Sequence, residues 1–336
     1  MSDAISELTS RCGAKRIATL GFLRHYVVTM RPYLLFVSGA TGLAGLALTP
    51  IEFSPMFFVI FAIFFFSYGL GQALTDCFQT DTDSISSPYR PLTMGKIRKS
   101  QVLSVSLAGL ISGGLILVAA NRTNILLVSL SIFGLSTYTF FKRRWWGGPF
   151  YNAWIVAALC LMAYLSGNGI AHQEPKLAIP LISTLAATFW GYANFVLAGY
   201  FKDISADRAT GYNTLPVVFG RVVSAIVSDI FAVLFLVSAG VAVGSVLAGN
   251  GLSSEKLVWV IPAAAGTIAA LTAQIRLHRE NSDEMAFGAI SPVVHAYILI
   301  LSAMASASRP SFIILAALLY PGFLIAMKLR PQKEQI

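Results

Sequence analysis

The sequence contains little charge. Asp, Glu, Lys and Arg make up 12% of its 336 residues, about half the share typical of a soluble domain. Hydrophobic residues make up 56%, and the mean hydropathy is +0.71. This balance excludes a water-soluble globular protein. Cysteine is also scarce: Cys12, Cys77 and Cys160 form neither a CxxC pair nor a zinc-ligand spacing, which argues against a disulfide framework and a structural zinc site.

Long apolar runs are the dominant feature of the sequence. Several reach the roughly 20 residues needed to cross a bilayer, and runs such as 57–70 lack the alternation of a membrane β-barrel strand. We therefore predict an all-α, polytopic membrane bundle of nine to ten transmembrane helices around a central cavity. If the last two segments form one span with a re-entrant piece, the count is nine. The predicted spans are 33–49, 57–75, 103–119, 124–141, 150–167, 178–201, 222–247, 257–274, 289–306 and 311–328.

The net charge of +9 is explained by topology. With a cytoplasmic N-terminus, all but four of the 24 Lys and Arg residues fall on the cytoplasmic side, as the positive-inside rule requires. We therefore expect no nucleic-acid partner. We expect the chain to contact membrane lipid. We predict a cytoplasmic N-terminal segment over 1–30 and one transmembrane domain over 31–330. Because no cleaved or organellar signal is recognised, the expected location is a bacterial inner membrane.

A first acidic segment, residues 75–91, follows the second predicted span. If that helix continues for two turns, Asp76, Gln79 and Asp83 lie on one face at offsets 0, 3 and 7, and Asp81 points away from it. Such grouped carboxylates repel one another unless a cation holds them together. The alternative explanation is that this segment is a solvated acidic loop without a bound cation.

A second acidic segment, residues 200–211, follows the sixth span and places Asp203 and Asp207 on one helical face. Hard oxygen ligands without His or thiolate favour Mg²⁺, which usually binds carboxylates together with substrate phosphates. The two segments lie at the same predicted membrane surface. We therefore expect them to face one cavity that holds Mg²⁺ and a phosphate-bearing substrate.

At these residues the chain resembles the UbiA-type intramembrane prenyltransferase superfamily, whose motifs are NDxxDxxxD after helix 2 and DxxxD after helix 6. Three further features fit the same pattern: Arg31-Pro32 before the first span, Pro88-Tyr89-Arg90-Pro91 after the first motif, and Tyr138 with Lys142. The resemblance implies an enzyme that uses Mg²⁺ to transfer an isoprenyl group from an isoprenyl diphosphate to a lipophilic acceptor within the membrane, and an aromatic acceptor is expected.

The resemblance also implies residue roles. The expected catalytic and metal-binding residues are Asp76, Asp83, Asp203 and Asp207. The expected substrate-binding residues are Thr75, Gln79, Arg90, Tyr138, Lys142, Asn194, Lys202 and Arg208. Four aromatic residues are candidates to steady an allylic cation through their ring faces: Phe78, Tyr138, Tyr192 and Tyr200.

The first motif departs from the family pattern at two positions. Thr75 replaces Asn, and Gln79 replaces the middle Asp, so the site loses one negative charge and should bind metal less tightly. Asp81 would compensate if the helix unwinds early. The change at Gln79 leaves open an alternative, an intramembrane terpene cyclase that uses the same ionisation step. A further alternative, which does not depend on this change, is a transporter or other non-catalytic membrane protein.

Overall fold

A computed structural model of the chain describes residues 19–250 and 254–330, and these residues form helices joined by turns, without a strand. The α-helices are α1 (Leu20–Thr29), α2 (Leu35–Ala47), α3 (Pro55–Asp76), α4 (Thr80–Ser86), α5 (Lys99–Ala120), α6 (Asn124–Lys142), α7 (Gly148–Ile170), α8 (Ile179–Tyr200), α9 (Ile204–Ala209), α10 (Leu215–Asn250), α11 (Val260–Leu277), α12 (Phe287–Ser308) and α13 (Ile313–Lys328).

Within these residues, nine helices are long and apolar enough to cross a membrane. A tenth is reached if Leu20–Thr29 and Pro32–Ala47, which meet at an angle of 51°, count as one broken span. The predicted all-α bundle of nine to ten membrane helices is thereby confirmed, and the chain is an integral membrane protein. Predicted boundaries agree to within a few residues in most spans, for example 178–201 against Ile179–Tyr200.

The first predicted span is shorter than expected. A 3₁₀ turn, Pro32–Leu34, leads into α2, which is buried along nearly its whole length. The bend before it falls at Arg31, whose φ of 52° is left-handed. A residue that precedes proline disfavours the right-handed helical region, so the chain turns here. Gly45 lets α2 approach α7 closely, because a Cβ at this position would lie 2.3 Å from the carbonyl oxygen of Cys160.

Two helices form the centre of the bundle. In α8 and α12, 72% of the most apolar stretch is buried, whereas the corresponding shares for α5, α11 and α13 are about a fifth. The outer helices therefore present apolar side chains to lipid. The helix predicted at 222–247 is longer than expected: α10 begins at Leu215 and is broken at Gly220, which has φ 79° and ψ 173°.

The loops that carry the two acidic segments lie on one side of the bundle. On this side Asp76, at the end of α3, contacts Arg31, which lies just before the turn into α2. The loop before α10 is attached to the end of α6, because the amide of Asn213 donates to the carbonyl oxygen of Arg143. Helix α1 packs on the same end of the bundle through Phe22 and Tyr26. Most of the predicted N-terminal segment, residues 1–18 with Cys12, lies outside the described residues.

Candidate active site

The first acidic segment is not one continuous helix, so the condition that α3 continues for two turns is not met. Helix α3 ends at Asp76, and the short helix α4 starts again at Thr80. Even so, Asp76, Gln79 and Asp83 line the same cavity. The break between the helices changes the direction of the chain, but it keeps these three side chains together.

The second acidic segment also contains a break. Helix α8 ends at Tyr200, and α9 covers Ile204–Ala209. The amide of Asp207 donates to the carbonyl oxygen of Asp203 at 2.7 Å, so the two acids are one helical turn apart. Thr82 of α4 and Thr210, the residue that follows α9, contact each other through their hydroxyl groups, which are 3.2 Å apart. Thr82 and Thr210 are 128 residues apart in sequence, and through them the two acidic segments meet.

Between these segments lies a cavity of about 100 Å³, here named the acidic cavity. It opens at the end of the bundle where α3, α6 and α8 end. Acidic, basic and neutral polar side chains line it. They include Arg31, Gln72, Thr75, Asp76, Gln79, Asp83, Arg90, Tyr138, Lys142, Lys202 and Asp203.

Asp76 is held by a residue that sequence reasoning did not assign to the site. Nη2 of Arg31 lies 3.0 and 3.1 Å from the two carboxylate oxygens of Asp76, and the amide of Gln72 donates to one of them at 2.6 Å. The Arg31-Pro32 pair was the available signal, and it was interpreted only as the approach to the first span. Arg31 reaches the cavity because its left-handed backbone turns the chain there.

Arg90 bridges the two acids of the first segment. One of its guanidinium nitrogens lies 2.5 Å from Asp83 and 3.9 Å from Asp76, and all three side chains are buried. Burial raises the pKa of the Asp83 carboxyl, although the charge on Arg90 opposes this shift. Burial alone would lower the pKa of Arg90, but Asp83 and Asp76 together raise it above its ordinary value. The guanidinium therefore stays charged.

Lys142 connects the two segments. Its Nζ donates to Oε1 of Gln79 at 3.1 Å and lies 3.6 Å from Oδ1 of Asp207. Asp207 is fully buried, and its Oδ2 accepts a hydrogen bond from Thr214 at 3.1 Å. Its Oδ1 has no hydrogen-bond partner among the residues that the structure describes. Burial raises the pKa of Asp207 to about 6.

Lys202 and Asp203 complete the rim of the acidic cavity. The Lys202 side chain is half-buried, and its Nζ lies 5.5 Å from the centre of the Phe287 ring. Burial lowers the pKa of Lys202 to about 8, and the cations Arg90 and Arg31 act in the same direction. An anion bound in the cavity would oppose this shift and stabilise the protonated amine.

Two predicted substrate-binding residues lie elsewhere. Asn194 does not line the acidic cavity; it accepts a hydrogen bond of 2.5 Å from Ser228, and so links α8 to α10. Arg208 is exposed on the outer side of α9. Asp81 is also outside the cavity, since it is 42% exposed and pairs with Arg143 at 3.1 Å. Asp81 therefore does not take the place of the missing carboxylate at Gln79.

Aromatic rings surround the inner part of the acidic cavity. Tyr138 and Tyr200 line it with their hydroxyl groups 2.9 Å apart, and Tyr68, Tyr192 and Phe195 complete the wall. Phe78 does not belong to this wall. It lies at the surface, where Lys99 is 5.0 Å from its ring.

The acidic cavity continues into the bundle. A second cavity, here named the throat, shares Tyr68, Gln72, Thr75, Asn152 and Tyr192 with it. The throat in turn shares four apolar residues with a groove of about 100 Å³ that lies between α3, α5, α6 and α7, here named the apolar groove. These four are Leu135, Ile155, Val156 and Leu159. The polar acidic cavity therefore adjoins the throat, and the throat adjoins the apolar groove.

No group of three or more His, Cys, Asp or Glu side chains within the described part of the chain is arranged to hold a metal ion. The acids of the cavity are instead paired with bases: Asp76 with Arg31, Asp83 with Arg90, and Asp207 with Lys142. Three of the four candidate acids, Asp76, Asp83 and Asp207, therefore each have a cation beside them.

The chain is thus a membrane bundle with paired acids and bases at one end and an apolar groove deeper in the bundle. The chain belongs to the UbiA prenyltransferase family, whose sequence profile matches residues 35–293. This membership confirms both the family recognised from the motifs and the enzyme class. The match ends within α12 and does not include α13.

Named relatives agree with this family. A digeranylgeranylglyceryl phosphate synthase from Thermococcus sibiricus is 28% identical over 236 residues, which cover 66% of this chain and 80% of the relative. A chloroplastic chlorophyll synthase from Oryza sativa is 28% identical over 163 residues, or 45% of this chain and 42% of the relative.

Solved structures show the same fold. A UbiA homologue from Aeropyrum pernix superposes with a TM-score of 0.65 at 16% identity. The superposition covers 84% of this chain and 97% of the homologue's chain. A homologue from Archaeoglobus fulgidus, bound to DMAPP and Mg²⁺, superposes with a TM-score of 0.60 at 17% identity. The superposition covers 90% of this chain and 99% of the homologue's chain.

Proposed function

We propose that this protein transfers an isoprenyl group from an isoprenyl diphosphate to a lipophilic acceptor within the membrane. The single observation that carries the proposal is the succession of the acidic cavity, the throat and the apolar groove, in which each cavity shares lining residues with the next. A donor with a charged head and an apolar tail matches both ends of this path. The ligand named for the Archaeoglobus homologue, DMAPP, has the same general form.

The cations of the acidic cavity are placed to receive a diphosphate head. Arg31, Arg90, Lys142 and Lys202 all line it. Guanidinium groups bind phosphate oxygens in a bidentate manner, and lysine acts as a point charge. We assign Arg90, Lys142 and Lys202 to the diphosphate as the sequence predicts, and we add Arg31.

The residues present fit Mg²⁺. Asp76, Asp83, Asp203 and Asp207 supply hard anionic oxygens, and the buried Oδ1 of Asp207 lacks a hydrogen-bond donor among the described residues. This oxygen has only the Lys142 ammonium near it, at 3.6 Å, and a bound cation could take that place. When bound, Mg²⁺ would neutralise charge that develops on the departing diphosphate. The two neutral oxygens at Thr75 and Gln79 line the same cavity.

The chemistry follows from these placements. The bond between the allylic carbon and the diphosphate oxygen breaks, the electron pair leaves with the diphosphate, and an acceptor nucleophile then forms a bond to the same carbon and loses a proton. Arg31, Arg90, Lys142 and Lys202 hold the leaving group by charge. Tyr68, Tyr138, Tyr192 and Tyr200 line the path of the tail next to the head, where their ring faces stabilise positive charge.

The acidic cavity opens on the side of the bundle that carries the acidic loops and most of the basic residues. We propose that this side, and the N-terminus, face the cytoplasm, as the positive-inside rule requires. The relatives named above come from an archaeon and a plant, so they lend no support to a bacterial inner membrane.

The test is a pyrophosphate-release assay. Purified protein in lipid nanodiscs is incubated with Mg²⁺ and dimethylallyl, geranyl or geranylgeranyl diphosphate, with either an aromatic or a glycerophosphate-type lipid acceptor. Release that depends on an acceptor, with an alkylated product by mass spectrometry, is the expected result. Release without acceptor that yields a cyclic hydrocarbon would indicate a cyclase. Absence of release with every donor would refute the proposal.

A further inference from the structure

A cluster of polar contacts lies outside the acidic cavity, on the outer side of α9. The amide of Ser205, in the first turn of α9, donates to Oδ2 of Asp283 at 2.8 Å. Asp283 lies in the loop between α11 and α12, 78 residues further along the chain. Its other carboxylate oxygen pairs with Arg221 of α10.

Arg221 makes a second contact with the same region. Its Nη1 donates to the carbonyl oxygen of Phe201 at 3.4 Å, and Phe201 immediately precedes Lys202 and Asp203. The side chains of Arg221 and Asp283 are 21% and 20% exposed, so water screens the pair only partly. Together the two side chains bond backbone atoms on both sides of Lys202-Asp203.

This segment needs support from other parts of the chain. Helix α9 has only six residues, and isolated helices of this length are not stable in water. It nevertheless carries Asp207 and follows Asp203 directly. The acids of the second segment can hold a fixed position only if other elements fix the backbone.

We infer that Asp283 and Arg221 are positioning residues, which fix the backbone of residues 201–205 and thereby place Asp203 and Asp207. Their role in turnover rests on the proposed function, whereas their effect on the segment does not. Neither side chain lines the acidic cavity. Both act through backbone atoms.

The first experiment measures the segment directly. In Asp283→Ala, amide hydrogen exchange in peptides that cover residues 201–211 should become about tenfold faster, with the melting temperature of the full-length protein little changed. The matched control is Asp229→Ala, which removes the Asp229–His278 pair between α10 and the residue after α11, at 2.7 Å, without touching α9. Unchanged exchange in Asp283→Ala, or equal acceleration in the control, would overturn the inference whatever the enzyme activity.

The second experiment measures turnover. A small displacement of catalytic groups costs up to about 100-fold, so Asp283→Ala should lower kcat at saturating donor and raise the Mg²⁺ concentration for half-maximal activity. Asp283→Asn keeps an acceptor oxygen for the Ser205 amide, so its kcat should fall less than that of Asp283→Ala. Asp229→Ala should match wild type in both quantities. Equal Mg²⁺ curves for wild type and Asp283→Ala would contradict the role in turnover.

A charge swap separates backbone positioning from a simple ion pair. The double variant R221D/D283R restores an acid–base pair, but it leaves the Ser205 amide without its acceptor and the Phe201 carbonyl without its donor. We therefore expect no recovery of slow exchange or of activity. Full recovery would show that the pair alone matters and that the backbone contacts do not. If the wild type releases no pyrophosphate, the proposed function fails, and the exchange measurements still decide the inference.

Discussion

Nζ of Lys142 lies 3.1 Å from Oε1 of Gln79 and 3.6 Å from Oδ1 of Asp207. One ammonium group thus connects the residue that departs from the family pattern to an acid of the other segment. The amide at position 79 accepts a hydrogen bond, but it does not neutralise the lysine. Asp207 is consequently the anionic partner of Lys142 among the described residues, and its carboxylate is drawn toward the amine.

Gln79→Asp should lower the Mg²⁺ concentration needed for half-maximal activity, by roughly threefold to tenfold, because it adds an anionic oxygen to the cavity. The new carboxylate would also pair with Lys142 and so release Asp207 for the metal. Activity across a Mg²⁺ series, with products identified by mass spectrometry, checks this. Gln79→Asn is the control. It keeps an uncharged amide, so the dependence of activity on Mg²⁺ concentration should not change. An unchanged curve for Gln79→Asp would place position 79 outside the metal shell.

Asp203→Ala and Asp207→Ala should each reduce Mg²⁺-dependent turnover by about 100-fold or more, because each removes an anionic ligand from the site. Asp81→Ala provides a matched control: it removes an acid from the first segment that is exposed and pairs with Arg143 outside the cavity. We expect this variant to keep most of its activity. Full activity in either Asp203→Ala or Asp207→Ala would mean that other acids bind the metal.

Leu135→Phe should discriminate against long donors. Leu135 lines both the throat and the apolar groove, and it packs against Gly71, where a Cβ would lie 3.3 Å from its methyl groups. A larger side chain should narrow this passage. We expect kcat/KM for geranylgeranyl diphosphate to fall by about tenfold, with little change for dimethylallyl diphosphate.

The control for this donor series is Leu130→Phe, on the exposed side of the same helix, where Leu130 is 43% exposed. It should leave the relative activities of the three donors unchanged. An equal loss with every donor in Leu135→Phe would indicate a packing defect and would contradict a tail path past Leu135.

The orientation can be tested with single cysteines in a background without native cysteine. Lys96→Cys, in the exposed loop before α5, should react with a membrane-impermeant maleimide only after cell lysis. Glu174→Cys, in the exposed loop between α7 and α8, should react in intact cells. The opposite pattern would place the acidic cavity on the outer surface.

Much of the architecture could be predicted from the sequence alone. The length of an apolar run specifies a span, because a helix rises about 1.5 Å per residue and must cross roughly 30 Å of hydrocarbon. The asymmetry of Lys and Arg predicted which helix ends share a side. The acidic segments were recognisable because carboxylates are rare in this chain and fall where spans end.

Only the tertiary structure decided which side chains share the cavity. Arg31 and Asp76 are 45 residues apart, and Asp283 and Ser205 are 78 apart, so local periodicity carries no information about either contact. The α3–α4 break shows the same limit, because a continuous helix and a broken one both bring Asp76, Gln79 and Asp83 together. Asn194 is polar and near the site in sequence, yet it bonds to Ser228 of α10. The sequence determined the spans and the chemical groups through local hydrophobicity and composition, whereas packing between distant helices decided which groups meet.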